Sequence, residues 1–394
     1  MKTAPALLRP GSADDVRQAL SSANESGQRL RLRGGGSKAA MGSPAGDETE
    51  LDLCGLAGVE RYEPGELVLR AGAGTRIDDV ARLLADQDQM LAFEPPDLGP
   101  LLGQPPGLST LGGMLAAGLS GPRRISAGAA RDHFLGFDAV SGRGVAFKAG
   151  GPVVKNVTGY DLPKLMAGSW GALAALTSVT LKVMPRPKTA MTLVIEGLTL
   201  RAANDVMSRA MGGPWAVSGA AYLPAPLTRR SPLMMDESAT LLRVEGFSPS
   251  VQARMASLRS TFRGAGGVDL YGDAPTEAMW RWIRDVEPFW GHERRVWRLS
   301  VSPAHGWRLG DAARGAECLY DWAGGQIWVC AENDFDARPL LEQVVALGGH
   351  ARLIRGVAEA RPAHVLSDLT RRLKVAFDPA GVLSSDRLTT LGGA

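Results

Sequence analysis

The chain has 394 residues, 45% of them hydrophobic, and 44 Lys and Arg against 41 Asp and Glu, a formal charge of +3. That length allows two or three domains with sizeable cores, and the well-mixed charge excludes the one-sided basic footprint of a nucleic-acid binder. Three scattered cysteines, Cys54, Cys318 and Cys330, exclude a disulfide framework and any four-thiolate iron–sulfur or zinc site, which fits a reducing compartment.

In chain order, the first ten residues lack the apolar run of a secretion signal. No window approaches the roughly 18 uncharged apolar residues of a membrane helix, so no transmembrane segment is expected. Ser12 to Gly27 is predicted as a helix: Ser12 caps it, Asp14 and Asp15 occupy the first turn, and Val16, Ala19, Leu20 and Ala23 share one face before Gly27 stops it. A strand follows in which Leu30 and Leu32 alternate with Arg29, Arg31 and Arg33, and it runs into Gly34-Gly35-Gly36-Ser37. In a doubly wound dinucleotide fold an amphipathic helix would come next and its N-terminus would meet the pyrophosphate. Residues 38 to 48 have no 3.6-residue period, so an anion here is expected to be held by backbone N–H groups of a glycine nest, without a helix dipole. A plain loop is the competing reading of three glycines alone.

Strands are predicted near 51–53 and 67–71, then a helix over 76–84 with Ile77, Val80, Ala81 and Leu84 on one face. Between 93 and 124 the texture turns to prolines and small residues, where Ala116, Ala117, Gly118, Ser120 and Gly121 allow close backbone approach; tight helix packing explains them as well. Strands follow near 137–140 and 145–147. Met184-Pro-Arg-Pro-Lys marks a boundary between domains 1–187 and 188–394. Eight of the nine tryptophans lie beyond it. The second part alternates strands (191–196, 240–244, 296–301, 326–330) with helices (200–211, 251–262, 339–347), the pattern of an antiparallel sheet covered on one side by helices. Trp280, Trp282, Trp290 and Trp297 are expected in its core.

Four ordered motifs, Arg33-Gly-Gly-Gly-Ser-Lys38, Ser109-Thr-Leu-Gly-Gly-Met114, Lys155-Asn-Val-Thr-Gly-Tyr-Asp161 and Gly168-Ser-Trp-Gly171 with Leu181-Lys-Val183 after it, resemble the FAD-binding domain of the vanillyl-alcohol oxidase superfamily, also called the p-cresol methylhydroxylase (PCMH) type. Further stretches at 117–124, 297–300, 321–325 and 348–352 look like those of the FAD-binding subunits of bacterial glycolate oxidases, which extends the likeness along most of the chain. The resemblance implies an α+β fold: a two-part PCMH-type FAD-binding domain over 1–187, then an antiparallel-sheet-plus-helices cap over 188–394 whose C-terminal tail returns toward the FAD domain.

It also implies FAD bound through Arg33, Gly34, Gly35, Gly36, Ser37 and Lys38. Thr110, Gly112 and Gly113 are expected on the opposite wall, Gly118 and Gly121 at a close approach to the flavin, and Gly168, Gly171, Ala174 and Leu176 along the adenosine half. Tyr160 and Asp161 are expected to brace that wall. The attachment is expected to be non-covalent, because Ser37 and Lys38 follow the triplet where some relatives carry a histidine. Asp378-Pro-Ala-Gly-Val-Leu-Ser384-Ser385-Asp386-Arg departs from the family's tail pattern, so no flavin contact is expected there.

Five histidines, His133, His292, His305, His350 and His364, show no metal-ligand spacing, so no metal is expected. His350, Arg298 and Tyr222 are the candidate catalytic side chains, with Arg352 beside His350. The implied role is the FAD-binding redox subunit of a heteromeric glycolate oxidase. Its expected partners are a homologous FAD-containing catalytic subunit, which binds the small hydroxy-acid substrate, and an iron–sulfur subunit that passes electrons toward quinone. The expected location is cytoplasmic, reaching the inner membrane face only through partners. Two alternatives are a self-sufficient FAD-dependent 2-hydroxy-acid dehydrogenase, with Arg123, Arg124 or Arg298 for the carboxylate, and a scaffold subunit with a structural flavin.

Overall fold

The structure is a computed structural model and describes residues 7–41, 48–151, 159–356 and 368–385. Its described residues fall into two compact units: one built from 7–120, 128–186 and 368–385, the other from 121–127 and 187–356. Residues 121–127, drawn from the middle of the first half of the sequence, thus pack with the second unit.

In the first unit the helix Ala13–Ser26 is closed at its start by a reciprocal pair, the Ser12 hydroxyl accepting from the Asp15 N–H and the Asp15 carboxylate accepting from the Ser12 N–H, and at its end by Gly27 at φ 71°. Its buried face, Val16, Leu20 and Ala23, packs with Leu30, Leu51, Val382 and Leu383. Leu30–Arg33 pairs in parallel with Thr49–Asp52, which pairs in parallel with Leu7–Leu8. A second sheet is antiparallel, in the order Val59–Glu63, Val68–Gly72, Ala174–Lys182, Phe134–Ser141, Ala146–Gly150. The helices Ile77–Ala85 and Leu111–Ala117 bury Ile77, Val80, Leu84, Leu111, Met114 and Leu115 in one cluster with this sheet.

The segment 368–385 belongs to this unit, and its Val382 carbonyl accepts from Leu30 N–H at 2.7 Å while the Leu30 carbonyl accepts from Ser384 N–H at 2.9 Å. Asp378, 2% exposed, holds the turn by accepting from Lys374 Nζ at 2.5 Å and from the N–H groups of Val382 and Leu383. Tyr160 is 92% exposed and braces nothing, whereas Asp161 accepts from the Lys164 N–H and pairs with its ammonium at 2.9 Å. Residues 155–158 of the third motif, Asp386 and His364 lie outside the described residues.

The second unit is built on an eight-stranded antiparallel sheet in the order Val268–Tyr271, Thr189–Glu196, Ala239–Gly246, Val217–Leu223, Glu317–Asp321, Gln326–Ala331, Arg295–Ser300, His350–Arg355. Leu200–Met211, Ser248–Phe262 and Arg338–Ala346 cover one face, joining Leu193, Leu242, Tyr222, Tyr320, Trp297 and Val329 in the main core. The expectation of helices on one side only is corrected by Asp273–Arg284. This helix lies on the opposite face, where Trp280 Nε1 donates to Thr192 Oγ1 at 2.9 Å and the Arg243 guanidinium stacks over the Trp280 ring at 4.6 Å. Trp280, Trp282 and Trp297 are buried and Trp290 is half-buried, its Nε1 satisfied by the Asp285 carbonyl.

Candidate functional site

In the first unit, a cavity of about 830 Å3 opens where the end of the Leu30–Arg33 strand, the glycine loop, the start of the Leu111–Ala117 helix and the start of the Ala174–Lys182 strand converge. That volume lies in the range of roughly 300–1,000 Å3 typical of cofactor sites. Twelve of the fifteen residues expected to hold the cofactor line it: Arg33 to Lys38, Thr110, Gly112, Gly113, Gly171, Ala174 and Leu176. These come from segments up to 143 residues apart (176 − 33), so the chain has to fold to bring them together.

The donors at the loop are unspent. Among the described residues, the N–H groups of Gly34, Gly35, Gly36 and Ser37 donate to no protein acceptor, whereas buried amides are almost always paired. Gly36 sits at φ 81°, an angle that favours glycine, while the two glycines before it are not left-handed. The Ser37 hydroxyl accepts from Ser109 Oγ at 3.2 Å and from Lys38 Nζ at 3.0 Å. Arg33 pairs with Glu50 at 2.9 Å, a bond that raises the guanidinium above its ordinary range, yet its Nε is buried with no partner. Three cationic side chains, Arg31, Arg33 and Lys38, line the cavity against one carboxylate, Glu50. Arg31 is already engaged by Glu48 at 2.8 Å.

A helix end does reach this cavity, contrary to expectation, but its donors are consumed. The N–H of Leu111 goes to the Thr75 carbonyl at 2.9 Å, that of Gly112 to the Ala73 carbonyl at 2.8 Å and that of Gly113 to the Thr110 side chain at 3.3 Å. The glycine loop therefore offers the unpaired main-chain hydrogens, and the Thr110-capped turn offers a wall. Four consecutive unspent amides, an orphaned guanidinium nitrogen and a positive lining fit a diphosphate. No histidine, cysteine or tyrosine lines the cavity, so the lining offers none of the side chains that would form a covalent link to flavin.

Three expected contacts lie elsewhere. Gly118, at φ 62°, ends the helix, and a Cβ on it would stand 3.1 Å from the Cα of Gly168, whose N–H donates to the Leu115 carbonyl at 3.1 Å; these two glycines serve each other's close approach and do not line the cavity. Gly121 is in the second unit, where its carbonyl accepts from Trp322 Nε1 at 3.0 Å. Ser384 and Ser385 do not line the cavity either. Sequence reasoning missed Glu50, Ala73, Ala116, Ala117 and Trp170 as lining residues. Trp170 was findable, because a tryptophan between Ser169 and Gly171 in a loop of small residues has a special task. It is held at φ 53° with its N–H on the Ala116 carbonyl at 2.8 Å.

In the second unit the candidate catalytic side chains separate. Tyr222 is on the helix-covered face, 6% exposed, its hydroxyl donating to the Leu198 carbonyl at 3.2 Å and pushed above its ordinary pKa by burial. It is a core residue. Arg298 and His350 instead lie on the opposite face of two paired strands, with Arg352 directly across from Arg298 and His350 across from Ser300. Among the described residues no group of three or more His, Cys, Asp and Glu side chains is placed to hold a metal ion. No helix is long and apolar enough to cross a membrane. Burial pushes the Cys318 thiol up to about 12, so it is inert as a nucleophile at neutral pH.

Comparison with known proteins agrees with this geometry. The FAD binding domain family model matches residues 4–150. The glycolate oxidase subunit GlcE of Escherichia coli strain K12 is 32% identical over 379 residues, 95% of each chain. D-lactate dehydrogenase of Anaerostipes hadrus is 29% identical over 196 residues, 48% of this chain and 38% of that one. Glycolate oxidase subunit GlcD of Bacillus subtilis strain 168 is 26% identical over 204 residues, 52% of this chain and 42% of that one. Among solved structures, alkyldihydroxyacetonephosphate synthase superposes with a TM-score of 0.70 over 95% of this chain and 75% of that one, at 16% identity, a likeness of fold.

Proposed function

The chain belongs to the family of glycolate oxidase subunit GlcE, an FAD-binding oxidoreductase family of PCMH type, and from that premise we propose that it is the FAD-binding redox subunit of a heteromeric enzyme that oxidises glycolate to glyoxylate. The observation that carries the reading is similarity along 95% of both chains to a glycolate oxidase subunit, whereas the likeness to D-lactate dehydrogenase covers about half of this chain.

The cavity of the first unit is the proposed FAD site. The N–H groups of Gly34 to Ser37 would donate to the diphosphate, and Arg33, steadied by Glu50, would present its orphaned Nε to the same charge. Thr110, Gly112, Gly113, Ala116 and Trp170 would form the wall that excludes water. Bound there, FAD supplies the two-electron acceptor for hydroxy-acid oxidation. Three cysteines cannot ligate an iron–sulfur cluster that needs four thiolates, which is why a separate iron–sulfur subunit is proposed to carry the electrons toward quinone. A homologous FAD subunit is proposed to bind glycolate, with this chain taking or passing electrons.

The test is the purified chain, alone and recombined with its partner subunits. Alone it is expected to carry visible flavin that glycolate does not bleach, and bleaching is expected once the partners are added. Bleaching by glycolate without partners would replace this reading with a self-sufficient dehydrogenase. A folded chain that takes up no FAD would overturn both.

A further inference from the structure

Across the face of the second unit's sheet opposite the main core, three strands set Trp328, Arg298 and Arg352 side by side in register, and the next row sets Gln326, Ser300 and His350 side by side. Directly opposed residues of antiparallel strands have their Cβ atoms about 4.5–5.5 Å apart, and like charges so placed repel. A sheet gains nothing from an Arg298–Arg352 pair on structural grounds. Arg124 adds a third cation. It arrives on the segment 121–127, which is fastened at three points: Arg123 grips Glu245 with two bonds of 2.7 and 3.0 Å, Trp322 Nε1 donates to the Gly121 carbonyl, and the Arg124 guanidinium stacks on the Trp322 ring at 4.2 Å.

The turn beneath Arg124 is strained to hold it. Trp322 and Ala323 both adopt left-handed backbone, at φ 53° and 55°, which costs residues with a Cβ about 1–2 kcal/mol each. The acids on this face are committed elsewhere: Glu245 to Arg123, and Asp321 to the Trp322 N–H at 2.7 Å. Arg298, partly buried, makes no hydrogen bond or ion pair among the described residues. Burial first, and then the like charge of Arg124, push its guanidinium down to about 10. His350 is lowered too, first by desolvation of its ring and then by Arg298, Arg124 and Arg352, so at neutral pH it is an uncharged imidazole with one donor and one acceptor. A desolvated cation surrounded by cations is an expensive arrangement that an anion would relieve.

We propose that the second unit carries a binding site for a small carboxylate, of the 2-hydroxy- or 2-oxo-acid class, in which the Arg298 guanidinium takes the carboxylate, Arg124 and Arg352 supply further positive charge, and His350 bonds the neighbouring oxygen. The planar fork of an arginine matches a carboxylate with two parallel hydrogen bonds, and a neutral imidazole beside it serves either a hydroxyl or a keto oxygen. Only the identity of the acid rests on the glycolate reading; the site itself rests on the charges of this face.

The experiment is calorimetric titration of the FAD-loaded full-length chain with oxalate, which binds without turning over, alongside inorganic phosphate. Oxalate is expected to bind and Arg298→Met to weaken it at least about tenfold, the scale of a lost charge-assisted pair. Arg298→Met is further expected to keep its FAD and to melt at the same temperature as the parent or above it, because it removes an uncompensated buried charge. Arg298→Lys, which retains the charge without the fork, is expected to fold and to bind several-fold more weakly. No heat with oxalate, undiminished binding by either variant, a lowered melting point with oxalate binding intact, or phosphate binding as tightly as oxalate would overturn the proposal. Since no turnover is read, these results are separate from the outcome of glycolate bleaching.

Discussion

Gly35→Val is expected to purify without flavin and to melt below the parent chain. A Cβ at Gly35 would overlap the Leu108 carbonyl and the Arg76 guanidinium, which is itself hydrogen-bonded to that carbonyl. The loop thus leans on backbone that cannot yield as a flexible side chain would, and a valine brings two further methyl groups to the same place. Overpacking of this kind costs about 1–3 kcal/mol in the folded state, and in a chain of this size each kcal/mol lowers the melting temperature by roughly 2–4 °C. The loss of cofactor follows from the same displacement, since the amides of 34–37 converge on one point only while Gly35 fits under Leu108. Visible absorbance of the purified protein and a thermal melt read the two effects separately. A variant that keeps one flavin per chain and an unshifted melt would remove Gly35 from the account.

Arg123→Ala is expected to destabilise the second unit by about 3–5 kcal/mol, the scale of breaking a buried ion pair on one side. Arg123 and Glu245 are 13% and 9% exposed, and Arg243 approaches the same carboxylate at 3.6 Å. Burial alone would raise the Glu245 carboxyl, but the Arg243 charge and the Arg123 bonds overcome it and hold it down to about 2. A carboxyl whose folded value lies below its unfolded one adds stability that is fully present above the unfolded value, about 4.5, and lost as pH falls through the folded one. Urea melts of the parent chain should therefore lose about 3 kcal/mol of this contribution between pH ~4.5 and ~2. In Arg123→Ala that loss should be smaller. An Arg123→Ala chain with the parent's midpoint at neutral pH would show that the segment 121–127 is not held by this pair.

The local signals in the sequence were strong where a residue type has one physical use. Ser12, Asp15 and Gly27 bracket a helix by capping chemistry, and the helix runs Ala13–Ser26. The triple glycine marked backbone donors, and the donors there are unspent. What escaped notice was fixed by long-range packing. Val217–Leu223 is buried on both faces along its whole length, so it carries no alternation for a period-two search to find. His350–Arg355 pairs along an outer edge of its sheet and is rich in charge, which disguised it as loop. The small residues at 116–121 were correctly read as sites of close approach, but their partners could not be named: Gly118 meets Gly168 fifty residues away (168 − 118), and Gly121 receives Trp322. The helix end at Leu111 was missed at the cavity because Thr110, a good cap, lies in a glycine-rich stretch of poor helix formers.

The central claim is that the main-chain amides of Gly34, Gly35, Gly36 and Ser37 grip the diphosphate of FAD. Hydrogen–deuterium exchange of these four amides, compared between stripped protein and the same protein reloaded with FAD, tests it most directly. Strong protection of 34–37 on loading is the predicted result. Unchanged exchange at those amides, with protection appearing at some other segment as flavin binds, would contradict it.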